Sequence, residues 1–188
     1  ASTNGVLRLM GMDPNADDEE VTEEEIQMMV DTGSRKGTIN PEESEMIHNV
    51  FEFNDLSVND IATHRRDVTV LWIDDSEEEW NEIIRKTHHT MYPVCGEDID
   101  TIVGVLNVRD YFCLTDHSRE NVLANAIRPA FFIPESVRAD VLFRRMKQTR
   151  CHFAIVLDEY GGMEGIVTMT DLLSEIVGDY DEEEAPEI

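Results

Sequence analysis

The heptapeptide GVLNVRD at residues 104–110 returns as GIVTMTD at residues 165–171, sixty-one positions further on. The likeness extends upstream of both copies. An apolar run precedes each, MYPVC in the first and FAIVL in the second, and before each run lies a strand–loop–helix stretch, VLWIDDSEEEWNEIIRK and then AFFIPESVRADVLFRRMK. A repeat of this size marks one supersecondary unit used twice, and a unit of that kind rarely buries its own apolar face. The expected fold class is therefore α/β (α+β): two tandem units, each β-α-β-β-α, packed as a pair around a shared core.

Local signals place the elements. Thr22 and Glu25 have the spacing of a capping box, Val21 and Ile26 that of a hydrophobic staple, and Ile26, Met29 and Val30 line one helical face up to Gly33. Asn40 with Pro41 opens a second helix carrying Met46, Ile47, Val50 and Phe51. These two helices form an N-terminal lead-in. In the first repeat Ser76 and Glu79 form another box, with Trp80, Ile83 and Ile84 facing inward; in the second, Ser136 is the expected cap, with Val141, Leu142 and Met146 inside. The turn DEYGG, Asp158 to Gly162, reads as a hairpin loop with glycine at positive φ.

Charge narrows the function. With 41 acidic against 15 basic residues the formal net charge is −26, so nucleic acid and anionic membrane surfaces are poor partners. Much of the acid lies in two runs, Asp13 to Glu25 and Gly178 to Glu187, which read as solvated charge; neither has the spacing of a calcium loop. Cys95, Cys113 and Cys151 show no paired spacing and are expected as reduced thiols in a cytosolic setting. There is no signal peptide and no apolar run long enough to span a bilayer. The opening ASTNGVLRLMGMDP, without an initiator Met, reads as a piece cut from something longer.

Two units closing with G-h-x-[ST]-x-x-[DN] resemble a tandem pair of cystathionine-β-synthase (CBS) domains. The second copy, AIVLDEYGGMEGIVTMTDLLSEIVGDYDEE, resembles the CBS pair of the CorC/HlyC (hemolysin C-like) magnesium/cobalt transport family, related to the cyclin M transporters, and GTINPEESEMIHNVFEFNDLSVNDIATHRRDV is similar to the segment that precedes it there. The resemblance implies residues 1–56 as a linker after a transmembrane domain, 57–118 and 119–180 as the two CBS domains, and 181–188 as an acidic tail before a small C-terminal domain. It implies a regulatory module rather than an enzyme, at the cytoplasmic face of the membrane, associating as a homodimer. The helix DLLSEIV, with Leu172, Leu173, Ile176 and Val177, has more apolar residues than one core face needs.

The ligand that the resemblance implies is an adenosine nucleotide, AMP or Mg-ATP. Thr168 lies at the end of a strand and Asp171 in the first turn of the next helix. A carboxylate there can accept both hydroxyls of a ribose, and the threonine can bond a sugar or phosphate. The alternative is that Asp171 only favours the helix N-terminus by its charge. Asp110 is its counterpart in the first repeat, where Asn107 replaces the Ser or Thr, so one good and one degraded site are expected. Thr63 and Arg65 match the opening run of the family. The strand edge at Tyr92, Pro93 and Val94 is expected to sandwich the purine, and Arg65, Arg66 and Arg128 to offer charge to phosphate. The competing reading is a ligand-free dimerisation module. His88, His89 and Cys95 lack the spacing of a metal-ligand run, and Cys151 with His152 would point to opposite faces of a strand.

Overall fold

The computed structural model describes residues 21–178. The opening apolar segment, the acidic run up to residue 20 and the tail from residue 179 lie outside the described residues. The chain forms two compact units, one up to His48 and one from Asn49.

In the first unit, α1 (Glu23–Arg35) begins with the expected box: Thr22 Oγ1 accepts from the Glu25 N–H and the Glu25 carboxylate accepts from the Thr22 N–H. The helix does not stop at Gly33 but runs two residues further, and Gly37, at φ 73°, makes the turn. A left-handed position suits glycine, which has no Cβ to clash. Of the expected apolar face only Val30 is buried in α1; Ile26 and Met29 are exposed. α2 (Pro41–Phe53) follows, capped by Asn40, whose side chain accepts from the Glu43 N–H.

The second unit contains both repeats. The first supplies α3 (Val58–Ile61), β1 (Thr63–His64), β2 (Leu71–Trp72), α4 (Glu77–Thr87), β3 (Met91–Cys95), β4 (Ile102–Asn107) and α5 (Val108–Phe112). The second supplies α6 (Arg119–Asn125), β5 (Ile127–Arg128), β6 (Phe132–Pro134), α7 (Ala139–Thr149), β7 (Phe153–Leu157), β8 (Met163–Thr168) and α8 (Met169–Val177). Two four-stranded sheets result, ordered β2-β3-β4-β5 and β1-β8-β7-β6. Each has a parallel first pair, an antiparallel second pair, and a register shift at the same place, Val94/Cys95 in one and Val156/Leu157 in the other. The duplication is thus exact to the level of an irregularity.

The edge strands, however, are exchanged. β1 begins the first repeat but pairs with β8 of the second, and β5 begins the second repeat but pairs with β4 of the first. The neighbouring helices follow. Val58 of α3 is buried with Ile133, Leu142 and Leu172 of the second repeat, and Val122 and Ala126 are buried with Tyr92 and Leu106 of the first. A third cluster, Val105, Phe153, Ile155 and Met163, joins the two sheets. Alternation along the strands divides these duties: Ala154 and Val156 face the second core, Phe153 and Ile155 the seam.

Exchange fixes the role of a glycine and corrects one expectation. Gly165 lies inside β8, opposite His64 of β1. A Cβ there would overlap the Thr63 carbonyl oxygen, and one on Gly104 would lie 2.6 Å from the Arg128 carbonyl oxygen. The glycine of each repeated heptapeptide is the place where the crossing strand comes close. Ser136 is not the cap of α7, which starts at Ala139 with Arg138 before it. The backbone of 135–139 is engaged by the first repeat instead: Val58 N–H donates to the Val137 carbonyl, Asn59 N–H to the Glu135 carbonyl and Ala139 N–H to the Leu56 carbonyl.

Candidate nucleotide cleft at the seam

The exchanged strand β1 brings Thr63 beside the end of β8, and a cleft of about 750 Å³ opens there, within the range usual for small-molecule sites. The first repeat contributes Thr63, the segment Asp67–Thr69 and the segment His88–Met91; the second contributes His152, Phe153, Ile166 and the run Thr168–Asp171. A molecule held here touches both repeats.

Thr168 and Asp171 form a complete capping box at the start of α8. The Asp171 N–H donates to Thr168 Oγ1 (3.2 Å) and the Thr168 N–H donates to Asp171 Oδ2 (2.7 Å). The local reading of Asp171 as a helix-start residue therefore holds. It does not exhaust the side chain. Asp171 Oδ1 has no hydrogen-bond partner among the described residues, and the Thr168 hydroxyl proton is likewise uncommitted. Both side chains face the cleft.

The equivalent position in the first repeat is built differently. Asn107 caps α5, its side chain accepting from the Asp110 N–H. Register places Arg128 where Thr63 stands in the other half: Thr63 pairs with Ile166 of β8, and Arg128 with Val105 of β4, sixty-one residues earlier. The Arg128 guanidinium donates to Asp110 Oδ2 from Nη2 at 2.6 Å and from Nε at 3.2 Å. The carboxylate matching Asp171 is thus already taken by an arginine of the same chain. This pair is exposed, with 67% of the Arg128 side chain open to solvent, so it fills the position rather than holding the fold. Arg128→Ala is expected to change unfolding stability by less than about 1 kcal/mol, as exposed ion pairs do; chemical denaturation measures it.

Of the ten residues singled out from the sequence, Thr63, Thr168 and Asp171 line the cleft, and the other seven, Arg66 and the buried Val94 among them, do not. Tyr92 is fully buried, its hydroxyl against Thr87 Oγ1 (2.7 Å) and accepting from the His89 N–H (3.0 Å). Pro93 is buried in the same strand. In this arrangement neither reaches the cleft; their neighbours Thr90 and Met91 do. Arg65 stands 4.0 Å from Asp100, and Asp110 and Arg128 hold each other. What the sequence reading missed are the histidines of the cleft, His88, His89 and His152. From the sequence His88 and His89 read as exposed loop histidines rather than as a metal pair with Cys95; both are exposed and Cys95 is buried. Burial, with the carboxylates of Asp98 and Asp100 nearby, pushes the Cys95 thiol up to about 11, so it is protonated and inert.

The DEYGG turn gains a structural role. Asp158 Oδ1 accepts from the Tyr160 and Gly162 N–H groups, and Asp100 of the first repeat accepts from the Met163 N–H (2.8 Å). The turn is docked onto the β3–β4 loop of the other half.

A family model described as the CBS domain matches residues 58–112 and again residues 123–178. The chain is also similar to a solved structure described as the CBS domain of the bacterial CNNM/CorC family Mg2+ transporter, with TM-score 0.77 and 31% identity over 85% of this chain and 98% of that one. The chain is a tandem CBS-domain pair of the CorC/HlyC family. The same transporter domain in complex with ATP matches this CBS pair with TM-score 0.67 and 31% identity, over 74% of this chain and all of that one. A CBS-domain pair with bound AMP from Klebsiella pneumoniae matches at TM-score 0.60 and 28% identity, over 65% of this chain and 99% of that one. Among curated proteins, UPF0053 protein YugS of Bacillus subtilis is 34% identical over 172 residues, which is 89% of this CBS pair but 40% of YugS. The chain spans less than half the length of these curated relatives.

Proposed function

We propose that this CBS pair is the regulatory module, at the cytoplasmic face of the membrane, of a longer magnesium/cobalt transport or efflux protein, and that it binds one adenosine nucleotide, AMP or Mg-ATP, in the cleft of Thr63, Thr168 and Asp171. Its parts are a lead-in at 1–56, CBS domains at 57–118 and 119–180, and a tail from 181. No catalytic role is proposed. The observation that carries the reading is the contrast between the two pseudo-equivalent junctions: Asp171 has a carboxylate oxygen facing an open cleft, while Asp110 is bound to Arg128. The nucleotide complexes of the related CBS structures favour it as well.

The ribose diol is assigned to Asp171 and the Thr168 hydroxyl. Magnesium, where present, arrives on the phosphates; among the described residues no group of three or more His, Cys, Asp or Glu is arranged to hold an ion by itself. Because the cleft takes elements from both repeats, an occupant biases how they sit together. It shifts any attached domain only as far as its affinity differs between two arrangements.

Calorimetric titration with AMP, ADP and Mg-ATP tests this. Saturation at one nucleotide per chain is expected. Absence of binding by every adenosine ligand at millimolar concentration would favour the rival, a ligand-free dimerisation module. On the closing helices of the two repeats the exposed large apolar residues are Leu173 of α8 and its repeat counterpart Phe112 of α5, 43% and 51% open, while Leu172 is buried in the core. A charge placed in such a surface opposes its burial; because Leu173 also lines the cleft, Phe112→Glu is the variant expected to convert a dimer into monomer in light scattering, with the fold unchanged by circular dichroism.

A further inference from the structure

The cleft has the wrong charge for its proposed ligand. No lysine or arginine is among the residues that line it; the ionisable side chains there are Asp67, Asp171, His88, His89 and His152. With neutral imidazoles this rim carries two negative charges. With all three protonated it carries one positive charge. Among the side chains that line the cleft, only the histidines can offer positive charge to phosphate.

We infer that the three histidines form the phosphate-binding side of the cleft, and that nucleotide binding takes up protons, so that occupancy rises as pH falls towards the range where imidazole ionises. This rests on the nucleotide reading above and adds a regulator to it.

The placement of each ring supports the assignment. His88 ends α4 in the left-handed region, at φ 58°, its N–H donating to the Ile84 carbonyl; the helix C-terminus there favours a cation. His89 is anchored by its own N–H to the Tyr92 hydroxyl, with its ring 5.7 Å from the tyrosine ring. His152 lies just before β7, and its carbonyl accepts the Met169 N–H at the start of α8. All three are exposed, so a protonated ring costs little desolvation until a ligand covers it.

The other charges on the surrounding elements lie off the lining, including Arg65 and Arg66 between Thr63 and Asp67, with Arg65 4.0 Å from Asp100. Arg85 and Lys86 are in the last turn of α4, and Arg150 ends α7. On α5, Arg109 precedes Asp110, which is held by Arg128. His64 of β1 is paired with Glu164 of β8 at 3.3 Å. Asp67 and Asp171 remain as the carboxylates that line the cleft with the imidazoles.

The test is a calorimetric titration of AMP at about pH 6.5 and about pH 8, in two buffers of different ionisation enthalpy, with adenosine as the ligand lacking phosphate. AMP is expected to bind about tenfold more tightly at the lower pH, with net proton uptake, while adenosine is indifferent to pH. The triple variant His88→Asn, His89→Asn, His152→Asn is expected to abolish the pH effect for AMP and to keep adenosine binding. Asparagine tolerates the left-handed backbone at position 88, and the His152 contact to α8 is made by the main chain. AMP affinity equal at both pH values within about twofold, without proton uptake, overturns the inference and leaves the nucleotide reading standing. Failure of both AMP and adenosine at either pH overturns the nucleotide reading and this inference with it.

Discussion

Replacing Gly165 with alanine is expected to unfold the seam of this protein more readily than any single change in its loops. The alanine Cβ would overlap the Thr63 carbonyl oxygen, a backbone atom with no rotamer to escape into. Strand β1 must then move away from β8, and α3 with its buried Val58 is tied to it. Overpacking of this kind costs about 1–3 kcal/mol, and a rigid neighbour places the value near the top of that range. For a domain of this size that is roughly 10 °C in midpoint temperature. The same change removes Thr63 from the cleft, so nucleotide binding should weaken along with stability. Gly161→Ala is the control. Gly161 is at φ 84° with nothing within 4 Å of an added Cβ, so it costs only the left-handed strain, about 1 kcal/mol, and leaves binding alone. Thermal unfolding of both variants separates the two causes; equal destabilisation by the two alanines would contradict the strand-crossing account.

Removing the Asp171 carboxylate is expected to have the largest effect on binding. Asp171→Ala forfeits one backbone hydrogen bond of the α8 cap, about 1 kcal/mol of stability. Its effect on the nucleotide is larger, because two hydroxyls lose a charged acceptor. Hydrogen bonds to charged groups contribute about 1.5–3 kcal/mol each, so affinity falls about a hundredfold or more. A chemical cycle identifies the contact. AMP lacking the ribose 2′-hydroxyl should bind the unaltered protein less tightly, and should lose little more in the Asp171→Ala variant, because the two deletions remove one interaction. If the deoxy ligand binds the unaltered protein as tightly as AMP, the carboxylate does not hold the sugar.

The contrast between the two junctions shows how the candidate site was legible in part. GIVTMTD and GVLNVRD announce two equivalent junctions, and Asn107 in place of a threonine marks the first as different. The arginine that fills it comes from β5, eighteen residues beyond Asp110 and on a strand whose partner no local pattern names. The placement of Tyr92 and Pro93, expected at the purine but buried in β3, was illegible for a related reason. An apolar strand reads alike whether its face is open to a cleft or sealed in a core, and here Tyr92 is buried with Trp80, Tyr111 and Val122. His88 and His152, sixty-four residues apart, share a cleft only because the two halves are interlocked.

Local chemistry settled the elements. Capping boxes at Thr22, Ser76 and Thr168 started their helices where the residue types demand, since those bonds form within four residues of chain. The duplication settled that there would be two like sheets, because the same alternation of apolar residues builds the same surface twice. The exchange of β1 and β5, the filling of one junction and the opening of the other were decided only by tertiary structure. The open junction depends on a close backbone approach between residues about a hundred apart, Thr63 against Gly165, and the filled one on Arg128 being carried beside β4, eighteen residues from Asp110; neither contact leaves a periodicity in the sequence.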